Sequence, residues 1–176
     1  MTEGFDIELI SETLAGDDTL EKIRMLEALE SQLPDWDIFP VSMLLPGLDD
    51  PDSTVRGLTF SLLSYCKERL TQDDLLKILN LIGVGDVEVR RLAVEMVSVF
   101  STCIRSDTLR RVVPYLWHRY GEVRETAIEV FTSISYQFTD EMFMAVAEKY
   151  GSEGMNVRES IAEFLERNGQ ECLINV

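Results

Sequence analysis

The chain has 176 residues, of which 45% are hydrophobic and 27% charged, a composition typical of a folded globular protein rather than a disordered one. Its 32 acidic residues outnumber the 16 basic ones, and the net charge of −16 disfavours nucleic acid and anionic membrane surfaces as partners. A protein with a basic surface is the partner that this charge favours.

The cysteines and the apolar runs narrow the class of protein further. Cys66, Cys103 and Cys172 are odd in number and far apart, which fits neither a disulfide framework nor a zinc-binding spacing. We therefore expect reduced, mostly buried thiols in a cytoplasmic protein. The acidic residues 1–6 do not resemble a signal peptide, and no apolar run approaches the ~20 residues that a transmembrane helix needs. These features predict a single domain, residues 1–176, that does not bind membranes.

The N-terminal part predicts two short amphipathic helices, at residues 6–15 and 18–32. Isoleucine and leucine recur at helical spacing in both, and Asp17-Asp18-Thr19 offers capping oxygens to the second. Pro34-Asp35-Trp36-Asp37 then ends the helix, and its tryptophan is expected to cap this first pair. We interpret residues 6–33 as a degenerate opening repeat that caps the N-terminus.

Four further helix pairs follow, and turn-forming residues separate their helices. The predicted pairs occupy residues 38–69, 72–104, 106–138 and 140–168, and residues 169–176 form a tail. Their helices are expected at 38–48 and 52–69, 72–83 and 86–104, 106–119 and 121–138, and 140–150 and 154–167. No segment of useful length alternates with the period of a strand, so the fold class is predicted to be all-α.

A Val-Arg dipeptide recurs at intervals of 34 residues, once near the start of each later second helix. The copies are Val55-Arg56, Val89-Arg90, Val123-Arg124 and Val157-Arg158. A fixed period of about 20–50 residues indicates stacked repeats, here one helix pair each. The positions three, four, seven and eight after each valine are mostly apolar, which gives every second helix a wide apolar face.

Residues 45–56, LPGLDDPDSTVR, and their echoes resemble HEAT-like repeats, well over 38–168 and loosely over 6–33. The resemblance implies a right-handed α-solenoid of about five HEAT-like helix pairs, with the second helices lining a concave face. It also implies that turn aspartates and helix arginines form a ladder between adjacent repeats, which gives a structural role to Asp52, Asp86, Arg56, Arg90, Arg124 and Arg158. Tyr120 and Gly154 replace the aspartate in the last two copies, so the ladder is expected to be incomplete there.

Counting from each valine places several polar residues of the second helices on one helix face. Its glutamates, here called the acidic column, are Glu88, Glu95, Glu122, Glu125, Glu129, Glu159, Glu163 and Glu166. Stacked repeats would align them in one stripe, and the HEAT-like resemblance places that stripe in the concave groove. Two interpretations stand side by side: a surface that binds a basic partner electrostatically, or an ordinary solvated face.

Residues 117–120, Trp-His-Arg-Tyr, interrupt the repeat, because the other copies carry turn-forming residues here. Trp117, His118 and Tyr120 are candidate partner-binding anchors, since aromatic residues at a repeat edge are typical of interfaces. Alternatively, the first helix is longer in this repeat and Trp117 packs on a neighbouring one. His118 is the only histidine, and no metal-ligating pair accompanies it. Packing inside the core is expected for Met142, Phe143 and Met144.

The sequence carries no Gly-rich phosphate loop, no Cys-x-x-Cys and no recognisable nucleophile motif. HEAT-like proteins include alkyl-base DNA glycosylases, but those enzymes need a basic DNA-binding face. We therefore predict a non-catalytic protein-binding module without metal or cofactor, such as an inhibitor or a toxin-neutralising immunity protein. The alternative is an assembly or cofactor-attachment factor similar to the bilin lyase HEAT-like proteins, in which an exposed cysteine or histidine would matter.

Overall fold

The computed structural model describes residues 6–32 and 39–174, and within these ranges every regular element is helical and no strand occurs. The α-helices are α1 Ile7–Ala15, α2 Thr19–Glu30, α3 Ser53–Tyr65, α4 Gln72–Asn80, α5 Val87–Phe100, α6 Ser106–Arg110, α7 Gly121–Ser133, α8 Asp140–Tyr150 and α9 Met155–Arg167. Shorter 3₁₀ segments follow or link them at Val41–Asp49, Lys67–Arg69, Leu81–Gly83, Ser101–Cys103, Val113–Trp117, Ser135–Gln137 and Glu171–Ile174. The all-α prediction is confirmed, whereas the predicted roles of Pro34 and Trp36 fall outside the described residues.

Three of the predicted first helices are not α-helical throughout. The one predicted at 72–83 is α-helical over Gln72–Asn80 and continues as the 3₁₀ segment Leu81–Gly83. The segment predicted at 38–48 is a 3₁₀ helix, Val41–Asp49, with Pro46 inside it. The helix predicted at 106–119 is α-helical only in α6, and it resumes as the 3₁₀ segment Val113–Trp117 with Pro114 at its start. Proline lacks the backbone N–H that an α-helix needs, and its ring collides with the preceding turn. The spacing of hydrophobic residues in the sequence does not distinguish an α-helix from a 3₁₀ helix in these segments.

Three of the second helices end earlier than predicted. Helices α3, α5 and α7 end at Tyr65, Phe100 and Ser133, and each is followed by a short 3₁₀ segment. The residues beyond them still carry helical patterning, because a 3₁₀ turn also places apolar residues three apart on one side. The predicted helix starts agree closely with those observed, and side-chain caps mark the starts of α1, α2, α3, α5 and α8.

The chain divides into two compact units, one up to Asp74 and one from Leu75 onward. In the first unit, α3 packs against α2 and against the 3₁₀ helix Val41–Asp49. Gly47 is required at that contact, because a Cβ there would lie 2.3 Å from the hydroxyl oxygen of Thr59. A buried ion pair joins Lys22 Nζ to Asp50 Oδ2 at 2.7 Å and so links α2 to the turn before α3.

The second unit contains the second helices of three consecutive pairs, packed side by side. Helix α7 lies between α5 and α9 and contacts both. The 3₁₀ segment Val113–Trp117 packs on α7 and α9, and α8 packs on α9. Phe100, Phe131 and Phe164 are fully buried in the core. The apolar side of the three helices therefore faces inward, and their polar side is left facing solvent.

The Val-Arg positions are structural in the first three copies. Val55, Val89 and Val123 are buried. The arginine that follows each of them is also buried, and its Nη1 donates hydrogen bonds to two backbone carbonyl oxygens of the preceding turn. In the fourth copy Val157 is only partly buried, and exposed Arg158 donates through Nε to the Glu153 carbonyl. The fourth copy thus lacks both the burial and the pair of carbonyl bonds that the first three copies share.

The expected aspartate–arginine ladder takes a different form. Asp52 and Asp86 cap their own helices, each accepting hydrogen bonds from the backbone N–H groups two and three residues later. The N–H groups of Val55 and Thr54 hold the pKa of Asp52 below its usual value. The links between helices run instead from Arg90 to Glu122 and from Arg124 to Ser160 Oγ. A helix residue, not the turn aspartate, therefore receives the arginine.

Two predictions of burial were wrong in part. All three cysteines are free, but only Cys66 is buried, where desolvation raises the pKa of its thiol; Cys103 is half-buried and Cys172 exposed. Met142 and Phe143 are buried as expected, whereas Met144 is 56% exposed. Within the described residues, no helix has the length and apolar character to cross a membrane.

Candidate functional site

The acidic column lies on the solvent-facing side of α5, α7 and α9. All eight of its glutamates are exposed. Glu88 and Glu95 lie on α5, the next three on α7, and the last three on α9. Helix α7 packs against both α5 and α9, so the three exposed glutamate-bearing faces belong to neighbouring helices. That all eight carboxylates align in one stripe stays a prediction.

A groove of about 370 Å³ runs between α5 and α7 at the centre of this surface. Its α7 wall carries Glu122, Glu125 and Glu129, with Thr126 among them. Arg90, Arg91, Val87 and Val94 line the α5 wall. Residues on one wall recur every three or four positions, which is the spacing of one helix face. The groove is therefore a direct product of the repeat register.

Some carboxylates of the column are already paired. Arg90 Nη2 lies 3.0 Å from Glu122 Oε2 across the groove. Arg91 Nη1 lies 3.6 Å from Glu88 Oε1 on the same helix. On α9, Arg167 pairs with Glu163 at 2.6 Å one turn away. The pairs Arg91–Glu88 and Arg167–Glu163 are exposed on both sides and stabilise the fold weakly, whereas Arg90 is buried. All three pairs lower the charge that a partner would meet.

The other five glutamates of the column differ from these three. Within residues 6–32 and 39–174, no lysine, arginine or histidine lies at ion-pairing distance from Glu95, Glu125, Glu129, Glu159 and Glu166. Glu125 and Glu129 are one turn apart on the same groove wall. Like charges at this spacing repel each other, so the free protein gains no stability from them.

The aromatic residues of the 117–120 segment lie on other surfaces than this groove. Trp117 is half-buried and lines a second groove, between the Val113–Trp117 segment and α8, where Lys149 Nζ lies 5.7 Å from its ring centre. It packs toward a neighbouring helix pair, as the alternative interpretation held, although the helix before it is shorter than predicted and not longer.

His118 and Tyr120 are held by the turn before α7. The His118 ring lies between Tyr115 and Tyr120, with ring centres 6.1 and 5.4 Å away, and its Nδ1 accepts from the Tyr120 backbone N–H. Tyr120 is 55% exposed, and the guanidinium of Arg119 covers its ring at 4.5 Å. His118 therefore has a structural role, and Tyr120 remains accessible.

Sequence reasoning missed the cationic wall of the central groove and the apolar groove beside Trp117. Arg90 was expected to bridge adjacent repeats through a turn aspartate, yet it binds its own turn and pairs with Glu122 of α7 instead. The repeat could have predicted this contact, because Glu122 follows Arg90 by 32 residues, nearly the length of one repeat. In stacked repeats, residues about one period apart are neighbours.

The arrangement suits recognition by charge. Within the described residues, no group of three or more histidine, cysteine, aspartate or glutamate side chains is placed to hold a metal ion. What α5, α7 and α9 offer is an exposed surface on which rigid helices fix the spacing of unpaired carboxylates. Such a surface attracts lysine and arginine side chains over distances of about 8 Å in physiological salt.

Comparison with known proteins gives no match: no family model matches the chain, and no curated protein is similar to it in sequence.

Proposed function

We propose that this protein is a non-catalytic binding module that captures a basic protein partner on its acidic column. The observation that carries the proposal is that Glu95, Glu125 and Glu129 are exposed and have no cationic partner within the described residues. A basic partner would pair with them without first breaking internal ion pairs. Association is therefore expected to be fast and to weaken as salt increases.

The proposed architecture is a right-handed HEAT-like solenoid of about five helix pairs with the second helices on its concave side. The 34-residue period, the repeated Val-Arg turns and the side-by-side packing of α5, α7 and α9 support it. In such an arrangement the acidic column lines the concave face, where one partner contacts several repeats at once.

The partner is proposed to be a basic protein that this chain inhibits or neutralises in the cytoplasm, as an immunity protein does for a toxin. A net charge of −16 on 176 residues supports that role, because strong charge complementarity raises the rate of association. Speed matters for an inhibitor that must act before its target does.

The test is capture of partners from an extract of the native cells, with three forms of the protein as bait. The first is the wild type, and the second carries Glu95→Gln, Glu125→Gln and Glu129→Gln. The third is a matched control with Glu12→Gln, Glu27→Gln and Glu148→Gln, which removes the same charge from exposed positions of α1, α2 and α8. Quantitative mass spectrometry then compares the recovered proteins at low and high salt.

At low salt, we expect the wild type and the control to recover a basic protein that the column variant does not recover. At high salt, we expect none of the three baits to recover it. A partner recovered equally by all three baits would contradict the proposal. Recovery of a cofactor-carrying subunit such as a phycobiliprotein would favour the cofactor-attachment alternative, with exposed Cys172 as the residue to test next.

A further inference from the structure

A second groove of about 340 Å³ lies in the second unit, between α6 with its following 3₁₀ segment and α8. Its lining is mostly apolar, and its residues are Arg110, Val113, Pro114, Trp117, Glu141, Met142 and Ala145. The volume is near the lower end of the range of about 300–1,000 Å³ found for ligand pockets, enough for one or two large side chains.

The groove exists because two segments fail to fill the space between them. Helix α6 stops at Arg110, and the chain continues as a 3₁₀ segment with Pro114 exposed on its outer side. Across from it, α8 presents exposed Ala145, whose side chain is too small to close the gap. Trp117 remains half-buried beside this gap, with part of its ring uncovered.

Two cations lie at or beside the groove lining. Arg110 Nη2 pairs with Glu141 Oε2 at 2.5 Å, and both side chains are more than half exposed. The Lys149 ammonium lies 5.7 Å from the Trp117 ring centre. No carboxylate in the described part of the chain lies at ion-pairing distance from Lys149. Its charge is thus available to a partner.

One wall of the groove differs in charge from the whole chain. Residues 101–120 contain four arginines and one aspartate, within a chain of net charge −16, although Arg105 already pairs with Asp107 and Arg110 with Glu141. The other wall, α8, is acidic apart from Lys149. Arg119, like Lys149, contacts an aromatic ring and has no carboxylate partner among the described residues. An acidic peptide that the glutamates of α5, α7 and α9 would repel meets cations here.

We propose that this groove is a second binding surface, which takes an acidic amphipathic segment of a partner protein. A large aliphatic or aromatic side chain of that segment fills the gap over Pro114 and Ala145 and covers Trp117. A neighbouring carboxylate pairs with Lys149. Recognition of this kind combines an apolar anchor with a charged flank, as in helix-in-groove complexes. The two faces of the second unit then select partners of opposite charge.

The test uses Trp117 as its own reporter. Trp36→Phe leaves Trp117 as the only tryptophan of the chain. The probe is a synthetic peptide of about 14 residues with leucine every third or fourth position and glutamate between, long enough to form a helix on binding. The same peptide with lysine in place of glutamate is the control. Both are titrated while the emission of Trp117 is followed.

We expect the leucine–glutamate peptide to change the Trp117 emission saturably and the leucine–lysine peptide to leave it unchanged. Ala145→Glu, which places a charge in the groove, and Lys149→Glu should each weaken peptide binding by about tenfold or more. Lys67→Glu, with the same charge change in the first unit, should leave it within about twofold. Thermal melts followed by circular dichroism confirm that each variant is folded.

Three results would overturn the proposal. One is an equal or stronger Trp117 response to the lysine peptide, which would remove the role of charge. Another is the absence of a saturable response, or an Ala145→Glu variant that binds as well as the wild type. The last is a change in Trp117 emission with protein concentration alone, together with a dimer in analytical ultracentrifugation, which would make a second copy of the chain the occupant. None of these results bears on the acidic column, whose test uses other residues.

Discussion

The Val-Arg turns and the acidic column follow the same 34-residue period. The polar side chains of the turns are buried, whereas those of the column are exposed. At the turns, Arg90 and Arg124 are buried, and every hydrogen bond they make ends on a carbonyl, a carboxylate or a hydroxyl. In the column, Glu125 and Glu129 are exposed and have no cationic partner among the described residues. The 34-residue period alone therefore does not distinguish structural residues from candidate binding residues. Burial of a polar side chain together with its hydrogen-bond partners does.

The largest stability effect is expected from Arg90→Met. The methionine would leave the carbonyl oxygens of Val84 and Gly85 without their donor and Glu122 without its partner. We expect the free energy of unfolding to fall by about 2–4 kcal/mol, measured by urea denaturation. Arg158→Met is the matched control, because Arg158 is exposed and donates to one carbonyl; it should cost about 0.5 kcal/mol or less. Equal losses at both positions would contradict the comparison.

A smaller loss is expected from Gly47→Ala, where a new methyl group would meet Thr59. The added Cβ would lie 2.3 Å from Thr59 Oγ1, and we expect a loss of about 1–3 kcal/mol from the forced displacement. Thr59 Oγ1 is also buried without a hydrogen-bond partner among the described residues, and Ala93 and Ala127 occupy the same place in later repeats. Thr59→Ala alone should therefore stabilise the protein by about 0.5–1 kcal/mol.

Combining the two substitutions tests the contact directly. In the double variant the clashing hydroxyl is gone, so Gly47→Ala should cost at least about 1 kcal/mol less in the Thr59→Ala background than in the wild type. Additive effects would mean that the close approach of α3 and the Val41–Asp49 segment is not what requires glycine at this position.

The smallest stability effect is expected in the acidic column. Replacing Glu95, Glu125 and Glu129 by glutamine removes no internal ion pair, and it relieves repulsion between carboxylates one turn apart. We expect the free energy of unfolding to stay the same or to rise by up to about 0.5 kcal/mol, by the same urea assay. A loss above about 1 kcal/mol would show that these glutamates support the fold.

The features that the sequence predicts well are those that depend on period. The starts of α2, α3, α5 and α9, the buried valines and the common face of the glutamates follow from capping residues and from counting, because helices have a fixed number of residues per turn. Asp52 is structural as expected, but it caps its own helix and does not take part in a ladder between repeats.

The features that the sequence does not predict depend on contacts between residues that are far apart in the chain. Nothing local distinguishes Glu122, which pairs with Arg90, from Glu125, which does not. The gap beside Trp117 likewise arises from two segments far apart in the chain, at Pro114 and Ala145. The replacement of α-helix by 3₁₀ segments around Pro46 and Pro114 could have been predicted by giving these prolines more weight than the hydrophobic period.

The central claim is that unpaired carboxylates on α5, α7 and α9 form a binding surface, and the affinity of the captured basic partner tests it most directly. Isothermal titration calorimetry at two salt concentrations would compare the wild type, the Glu95/Glu125/Glu129→Gln variant and the Glu12/Glu27/Glu148→Gln control. We predict that the column variant loses at least about tenfold in affinity and most of the salt dependence, whereas the control stays within about twofold of the wild type. Equal affinity and equal salt dependence for the two variants would contradict the account.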